Sequence, residues 1–221
     1  MKLLLNSLFV CVLFFCAPVF SMEFLKTYII KVGAIKIGKL DWEINIDDKK
    51  YTNKLNLKSE GLLSAIYSFE GKYYSEGVIE NELLISKKYS HFWKTRKAEK
   101  KMDLVFNNNK LLSLSQKPVE KEFLRVDIFN INETKDPLSS FLQIIRGGKH
   151  SLVVDGRRLY TMNSIYNKEI NRTTVQLLNY SNLWADHKRS KFEKIAYEKK
   201  EVNLFPTKIY IYFDGKVFRL E

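Results

Sequence analysis

Residues 39–46, Lys39-Leu40-Asp41-Trp42-Glu43-Ile44-Asn45-Ile46, alternate polar and apolar without a fault. A period of two places Leu40, Trp42, Ile44 and Ile46 on one side of an extended chain and the charged residues on the other, the signature of a strand with one buried face. The same parity opens upstream with Tyr28, Ile30 and Val32. It slips at Ile35 and Ile37, which Gly33 and Gly38 flank, so a tight turn or bulge is expected there. Downstream, Tyr51, Leu55 and Leu57 continue the alternation as far as Ser59-Glu60-Gly61. The apolar run from Leu62 to Tyr67 fits either a helical turn or a strand crossing.

Phe69, Gly71, Tyr73, Ser75, Gly77 and Ile79 share one parity, and Glu70, Lys72 and Glu76 take the other. Two glycines on the inner face are expected to leave room for a bend or a bound group. Further strands are expected at Leu83–Ser86, Tyr89–Thr95, Met102–Phe106, Leu111–Ser115, Phe123–Phe129, Ser151–Val154, Leu159–Met162, Thr174–Leu178 and Ile195–Glu198, with a turn at Asn107-Asn108-Asn109. The clearest hairpin is the last, Thr207–Phe213 and Lys216–Leu220, joined by Asp214-Gly215. One segment reads as helix. Asp136 caps it, Pro137 takes the first position, Leu138, Phe141, Leu142 and Ile145 share a face, and Gly147-Gly148 ends it. Ser139 and Ser140 fall in its first turn, where serine caps or faces solvent. About a dozen strands and one short helix describe an all-β, mainly antiparallel domain: a large curved sheet or half-open β-barrel. No repeat, linker or second domain interrupts it.

The N-terminus has a different character. After Met1-Lys2 the chain is uninterruptedly apolar from Leu8 to Ala17, Pro18 follows, and Ser21 offers a small residue. This is the pattern of a cleavable export signal over residues 1–21 with the cut between Ser21 and Met22; the alternative is an uncleaved N-terminal anchor in the inner membrane. Residues 22–221 then form a single β-rich domain, expected in the periplasm. Both cysteines, Cys11 and Cys16, lie in the leader. Val10 and Phe15 before them are too bulky for a lipid-acylation site. A domain without cysteine has no disulfide framework, thiolate metal site or cysteine nucleophile.

The chain has 37 Lys and Arg against 25 Asp and Glu, a net charge of +12. A positive field favours anionic partners. The lysines are nevertheless dispersed among Asn, Ile, Tyr and Phe, a composition that AT-rich codons also produce, and no nucleic-acid-binding motif occurs. His91, His150 and His187 lack metal-ligand spacing, Gly-x-Ser-x-Gly is absent, and there is no phosphate loop or dinucleotide fingerprint. No metal, cofactor or enzymatic activity is therefore expected. The most distinctive stretch is Val153-Val154-Asp155-Gly156-Arg157-Arg158-Leu159-Tyr160. It reads as a hairpin with solvated arginines; the functional alternative is that Arg157 or Arg158, with Arg146 from the helix end, forks onto a phosphate or carboxylate. Trp42, Tyr67, Tyr73, Trp93 and Tyr160 are core candidates that would also line the mouth of a barrel holding an apolar ligand.

Together, Tyr28-x-Ile30-x-Val32-Gly33-x-Ile35-x-Ile37-Gly38, Ser59-Glu60-Gly61-Leu62 with Tyr67, Phe69-x-Gly71-x-Tyr73-x-Ser75-x-Gly77, Asp136-Pro137-Leu138-Ser139-Ser140 and Asp155-Gly156-Arg157-Arg158-x-Tyr160 resemble the bacterial family known as domain of unknown function 3108. The resemblance implies an exported, β-rich envelope protein and no particular activity. Residues 87–121 and those after Asn179 match it less clearly. Three functions follow as expectations. The first is a non-enzymatic binder of an apolar or amphiphilic envelope molecule, such as a lipid or glycan precursor, using Trp42, Tyr73, Arg146, Arg157, Arg158 and Tyr160. The second is an adaptor docking on envelope proteins or anionic membrane. The third is a hydrolase of unfamiliar geometry.

Overall fold

The computed structural model describes residues 22–61, 64, 68–184, 192–200 and 203–221. The expected leader, Ser21, Tyr67 and His187 lie outside them. Seven strands form an antiparallel meander: β1 (Met22–Val32), β2 (Ile35–Ile46), β3 (Lys50–Ser59), β4 (Phe69–Glu80), β5 (Leu83–Thr95), β6 (Glu99–Asn107) and β7 (Lys110–Lys117). After a long connection come β8 (Thr134–Lys135), helix α1 (Pro137–Ile145), β9 (His150–Val154), β10 (Arg158–Asn167), β11 (Arg172–Asn182), β12 (Phe192–Glu198), β13 (Lys208–Phe213) and β14 (Lys216–Leu220). All fourteen belong to one sheet in the order β7-β6-β5-β4-β3-β2-β1-β14-β13-β12-β11-β10-β9-β8. Every pairing is antiparallel except β8 with β9, and Ile30 faces Leu220 where the first and last strands zip together. The edges β7 and β8 come round to each other, Thr134 N donating to Asn109 O at 2.7 Å. The result is a nearly closed barrel.

Helix α1 is the plug. Asp136 caps it as expected, its carboxylate accepting from the backbone N–H of Leu138 and Ser139, with Pro137 in the first turn. Phe141 stacks on Trp42 of β2 at 6.0 Å and meets Tyr197 of β12 edge-on at 5.9 Å. Strands of both halves thus surround the helix, and a lining of Tyr28, Ile44, Leu84, Val153, Val175 and Ile195 packs with Leu142, Ile144 and Ile145 in one apolar cluster. A second cluster, centred on Tyr89, Leu104, Phe106, Leu111, Val154 and Leu183, lies behind the seam.

Three expectations are corrected. Phe123–Phe129 is not a strand: it contributes one bridge, Leu124 to Trp184, and runs into a short 3-10 turn at Ile128–Asn130. Its alternation has another cause, because Leu124, Val126, Phe129 and Ile131 are caulking that seals the second cluster across the seam, while Asp127 ties back to Asn130 at 2.6 Å. Leu83–Ser86 and Tyr89–Thr95 are one strand, with Lys87 the extra residue of a bulge opposite Glu76 and Gly77. The room at Gly71 and Gly77 is already taken, by the Trp93 ring at the first and by the Tyr51 hydroxyl and Ile85 carbonyl at the second. A Cβ on Gly77 would stand 2.0 Å from that carbonyl, so close strand approach, not a ligand, requires the glycine.

Candidate functional site

Two polar constellations interrupt the apolar interior. The first anchors the plug. Asp136 is wholly buried, and its carboxyl takes five contacts: Leu138 N at 2.9 Å and Ser139 N at 3.0 Å on Oδ1, and the hydroxyls of Ser75 at 2.9 Å, Ser86 at 2.7 Å and Ser139 on Oδ2. Ser139 Oγ also lies 2.7 Å from Ser75 Oγ and 2.6 Å from Tyr51 Oη. Trp42 Nε1 donates to Asn53 Oδ1 at 2.7 Å, and Asn53 reaches Leu138 O at 3.3 Å. The serines expected at a cap or in solvent are therefore inside, because the helix face that carries them packs against the strands. Burial raises the Asp136 pKa from its ordinary value while the hydrogen bonds from Ser139, Ser86 and Ser75 pull it down, with burial dominant. Trp42 belongs to this anchor and not to a ligand surface.

The second constellation occupies one end of the barrel, under the turn between β9 and β10. Asp155 organises that turn: its Oδ1 accepts from Arg157 N at 2.9 Å and Arg158 N at 2.8 Å, and its Oδ2 faces Arg158 Nε at 2.9 Å. Gly156 has φ +82°, a left-handed conformation, and presses on Met102 of β6 so closely that a Cβ would fall 1.7 Å from the sulfur. Arg158 Nη1 donates to Tyr180 Oη at 2.9 Å, and Tyr180 stacks on buried Tyr160 at 5.5 Å. The hairpin reading is right in form, yet Arg158 is only partly exposed and is held by Asp155 and Tyr180. Burial works against its charge, and Asp155, Tyr180 and Tyr160 more than offset that.

Across from the turn, cross-strand register sets Tyr73, His91, Met102 and Gln116 side by side on β4, β5, β6 and β7. His91 stacks on Tyr73 at 4.5 Å. Burial, reinforced by the charges of Arg157 and Arg158, lowers the His91 pKa to about 4. Burial raises that of Tyr73 to about 12, with Arg158 opposing. His91 Nε2, both carboxamide atoms of Gln116 and Oδ1 of Asn182 are buried with no hydrogen-bond partner among the described residues. A neutral imidazole and a buried amide with unused hydrogen-bonding capacity thus lie at the same mouth as two guanidinium groups.

Of the expected site residues, Tyr73, Arg157, Arg158 and Tyr160 come together here. Arg146 does not. It is exposed at the C-terminus of α1, beyond the start of β9, with Lys199 as its charged neighbour. The five residues of β9, roughly 17 Å long, separate it from the Arg157 turn. His91 and Gln116 were not among the expected site residues; for His91 the Tyr89-x-His91-x-Trp93 parity, a polar group on an apolar face, is the sequence signal. Among the described residues no group of three or more His, Cys, Asp or Glu is placed to hold a metal, and no helix is long and apolar enough to cross a membrane.

A family model described as "Protein of unknown function (DUF3108)" matches residues 27–202. No curated protein matches the sequence. Among solved structures the chain is similar to the crystal structure of a beta-barrel-like protein of domain of unknown function DUF1849 from Brucella abortus, at 10% identity and a TM-score of 0.46, covering 90% of this chain and 94% of that one.

Proposed function

The chain belongs to the DUF3108 family, and from that premise we propose that it is an exported, non-enzymatic envelope protein that holds the anionic group of an amphiphile, a lipid or glycan precursor, at the Arg157–Arg158 mouth. The observation that carries this reading is His91: a buried imidazole with an unpartnered Nε2, kept neutral by burial and two neighbouring arginines. Such a group costs stability unless something pairs with it, and an anionic ligand drawn to the positive potential of the two arginines would supply that pairing. Plug and core side chains occupy the barrel interior, so the apolar part of the amphiphile lies outside it, along the rim where Phe69 and Trp93 stack at 5.5 Å. Native mass spectrometry of the protein purified gently from a bacterial envelope, with extraction of whatever travels with it, tests the reading. A stoichiometric anionic lipid or glycolipid, lost in R157A/R158A, is expected; a bare protein, or a lipid retained by that variant, would sink it.

A second reading, an adaptor docking on envelope proteins, draws on Val119 and Phe123. They are 78% and 92% exposed on the connection after β7, unusual for large apolar side chains. In-cell crosslinking from position 123 would give one discrete partner band if the adaptor reading holds and a diffuse ladder if it fails.

A further inference from the structure

We infer that the group seated at the Arg157–Arg158 mouth is a phosphorylated polyol, a sugar phosphate or glycerophosphate, and not a bare carboxylate or inorganic phosphate. The inference rests on the anion-binding reading above and adds the neutral half of the ligand.

Gln116 carries the argument. It is only 9% exposed, yet neither its carboxamide nitrogen nor its oxygen has a hydrogen-bond partner. Met102 is its neighbour on β6 and also the neighbour of His91, so Gln116 and His91 flank one methionine from opposite sides. The Asp155-Gly156-Arg157 turn closes on the same methionine, which puts the two unpartnered side chains and the arginine turn around one residue. Native folds rarely leave a buried amide empty on both atoms, and the three groups ask for different partners. Guanidinium groups take anionic oxygens, a carboxamide needs an acceptor and a donor together, and His91 Nε2 needs one of either. A hydroxyl supplies both donor and acceptor. A carboxylate supplies acceptors alone and would leave Gln116 Oε1 unpaired.

Size agrees with this division. Gln116 and His91 lie two strands apart, so their backbones are separated by roughly 9–10 Å. A phosphate on a three-carbon or larger polyol matches that spacing more closely than a single phosphate does. The lysine-rich depression on the outer wall offers no rival site, since Lys54, Lys72 and Lys101 are already paired with Glu43, Glu70 and Asp103.

Calorimetric titration of the purified full chain with glycerol 3-phosphate, glucose 1-phosphate, inorganic phosphate and acetate is the test. The expected result is binding of one or both phosphorylated polyols about tenfold tighter than phosphate, the scale of one or two added hydrogen bonds. Q116L should erase that preference, bringing the polyol phosphates to the affinity of phosphate; in the wild-type protein, the Gln116 side-chain amide NMR signals should move with glycerol 3-phosphate and not with phosphate. A short-chain phosphatidylglycerol binding tighter than glycerol 3-phosphate would assign the headgroup to a lipid, and the reverse order to a free metabolite. Equal affinities with a silent Gln116 overturn this inference and leave the anion-binding reading standing. So does a Q116L protein that is more heat-stable with every affinity unchanged, which would mean that water alone fills the site. Absence of anion binding, or binding indifferent to R157A/R158A, overturns both.

Discussion

His91 is the residue whose chemistry departs furthest from its sequence setting. A histidine in an exposed loop would take up a proton near pH 6.5, whereas burial and the adjoining arginines hold this one neutral to about 4. Between those values the unfolded chain binds the proton and the folded chain does not, so acid withdraws stability progressively from pH 6.5 down to 4, by up to about 3 kcal/mol. Above pH 6.5 the penalty is absent. H91F should therefore lose less stability than the wild type across that window and track it at pH 7 to 8, as denaturant titrations at stepped pH would show. Asp136 has the opposite sign. Its pKa is raised by burial, so its protonated form stabilises the fold at low pH and that contribution fades as pH rises through the folded value. Hydrogen counting agrees: Ser75, Ser86, Ser139 and Tyr51 bring four hydroxyl hydrogens to five oxygen contacts, and a proton on Asp136 supplies the fifth. D136N, which keeps a capping oxygen and adds donors, should stay close to wild-type stability at neutral pH. D136A, which strands three buried serines, should cost about 2–4 kcal/mol by urea unfolding.

Among the elements, those with strong local signals were legible in the sequence. Period two located the strands from Tyr28 to Ile79, and Asp-Gly located the last hairpin, where Asp214 and Gly215 both have positive φ. Asp136-Pro137 with Gly147-Gly148 bounded the helix. What local signals do not carry is placement. Nothing in Pro137–Ile145 says that the helix is enclosed by the sheet, and from that enclosure follow the burial of Ser139 and Ser140 and the filling of the concavity. The Phe123–Phe129 segment misled for a related reason: alternating apolar residues serve equally to pair a strand or to stop a gap. In the candidate site, the turn chemistry of Asp155-Gly156 was readable, whereas the meeting of His91 and Gln116 around Met102 depends on pairing across three strands. The two Asp-Gly turns make a controlled comparison. Gly215 has φ +68° with nothing near its Cβ position, and Gly156 adds the Met102 sulfur to the same backbone strain. G215A should cost about 1 kcal/mol, and G156A distinctly more while also weakening anion binding, as thermal unfolding and titration of the two variants would reveal.

As a whole molecule the barrel joins its two halves in three ways: the β1–β14 zipper, the β7–β8 seam and the plug between them. All three bring together distant parts of the sequence, so folding should be slow for the chain's size, milliseconds to seconds or longer by stopped-flow fluorescence of its tryptophans. Deleting residues 208–221 should abolish cooperative unfolding by removing β13 and β14 and with them the zipper to β1. The zipper also sets a timetable. Ile30 waits for Leu220, 190 positions later, and at roughly 5–20 residues per second a ribosome takes about 10–40 s to deliver it. For that interval the nascent chain is an open ribbon with a greasy concave side and, until residue 145 has emerged, no helix to cover it. Synthesis thus opens a period in which the fold itself does not keep β1 to β7 from pairing with a neighbour's edge.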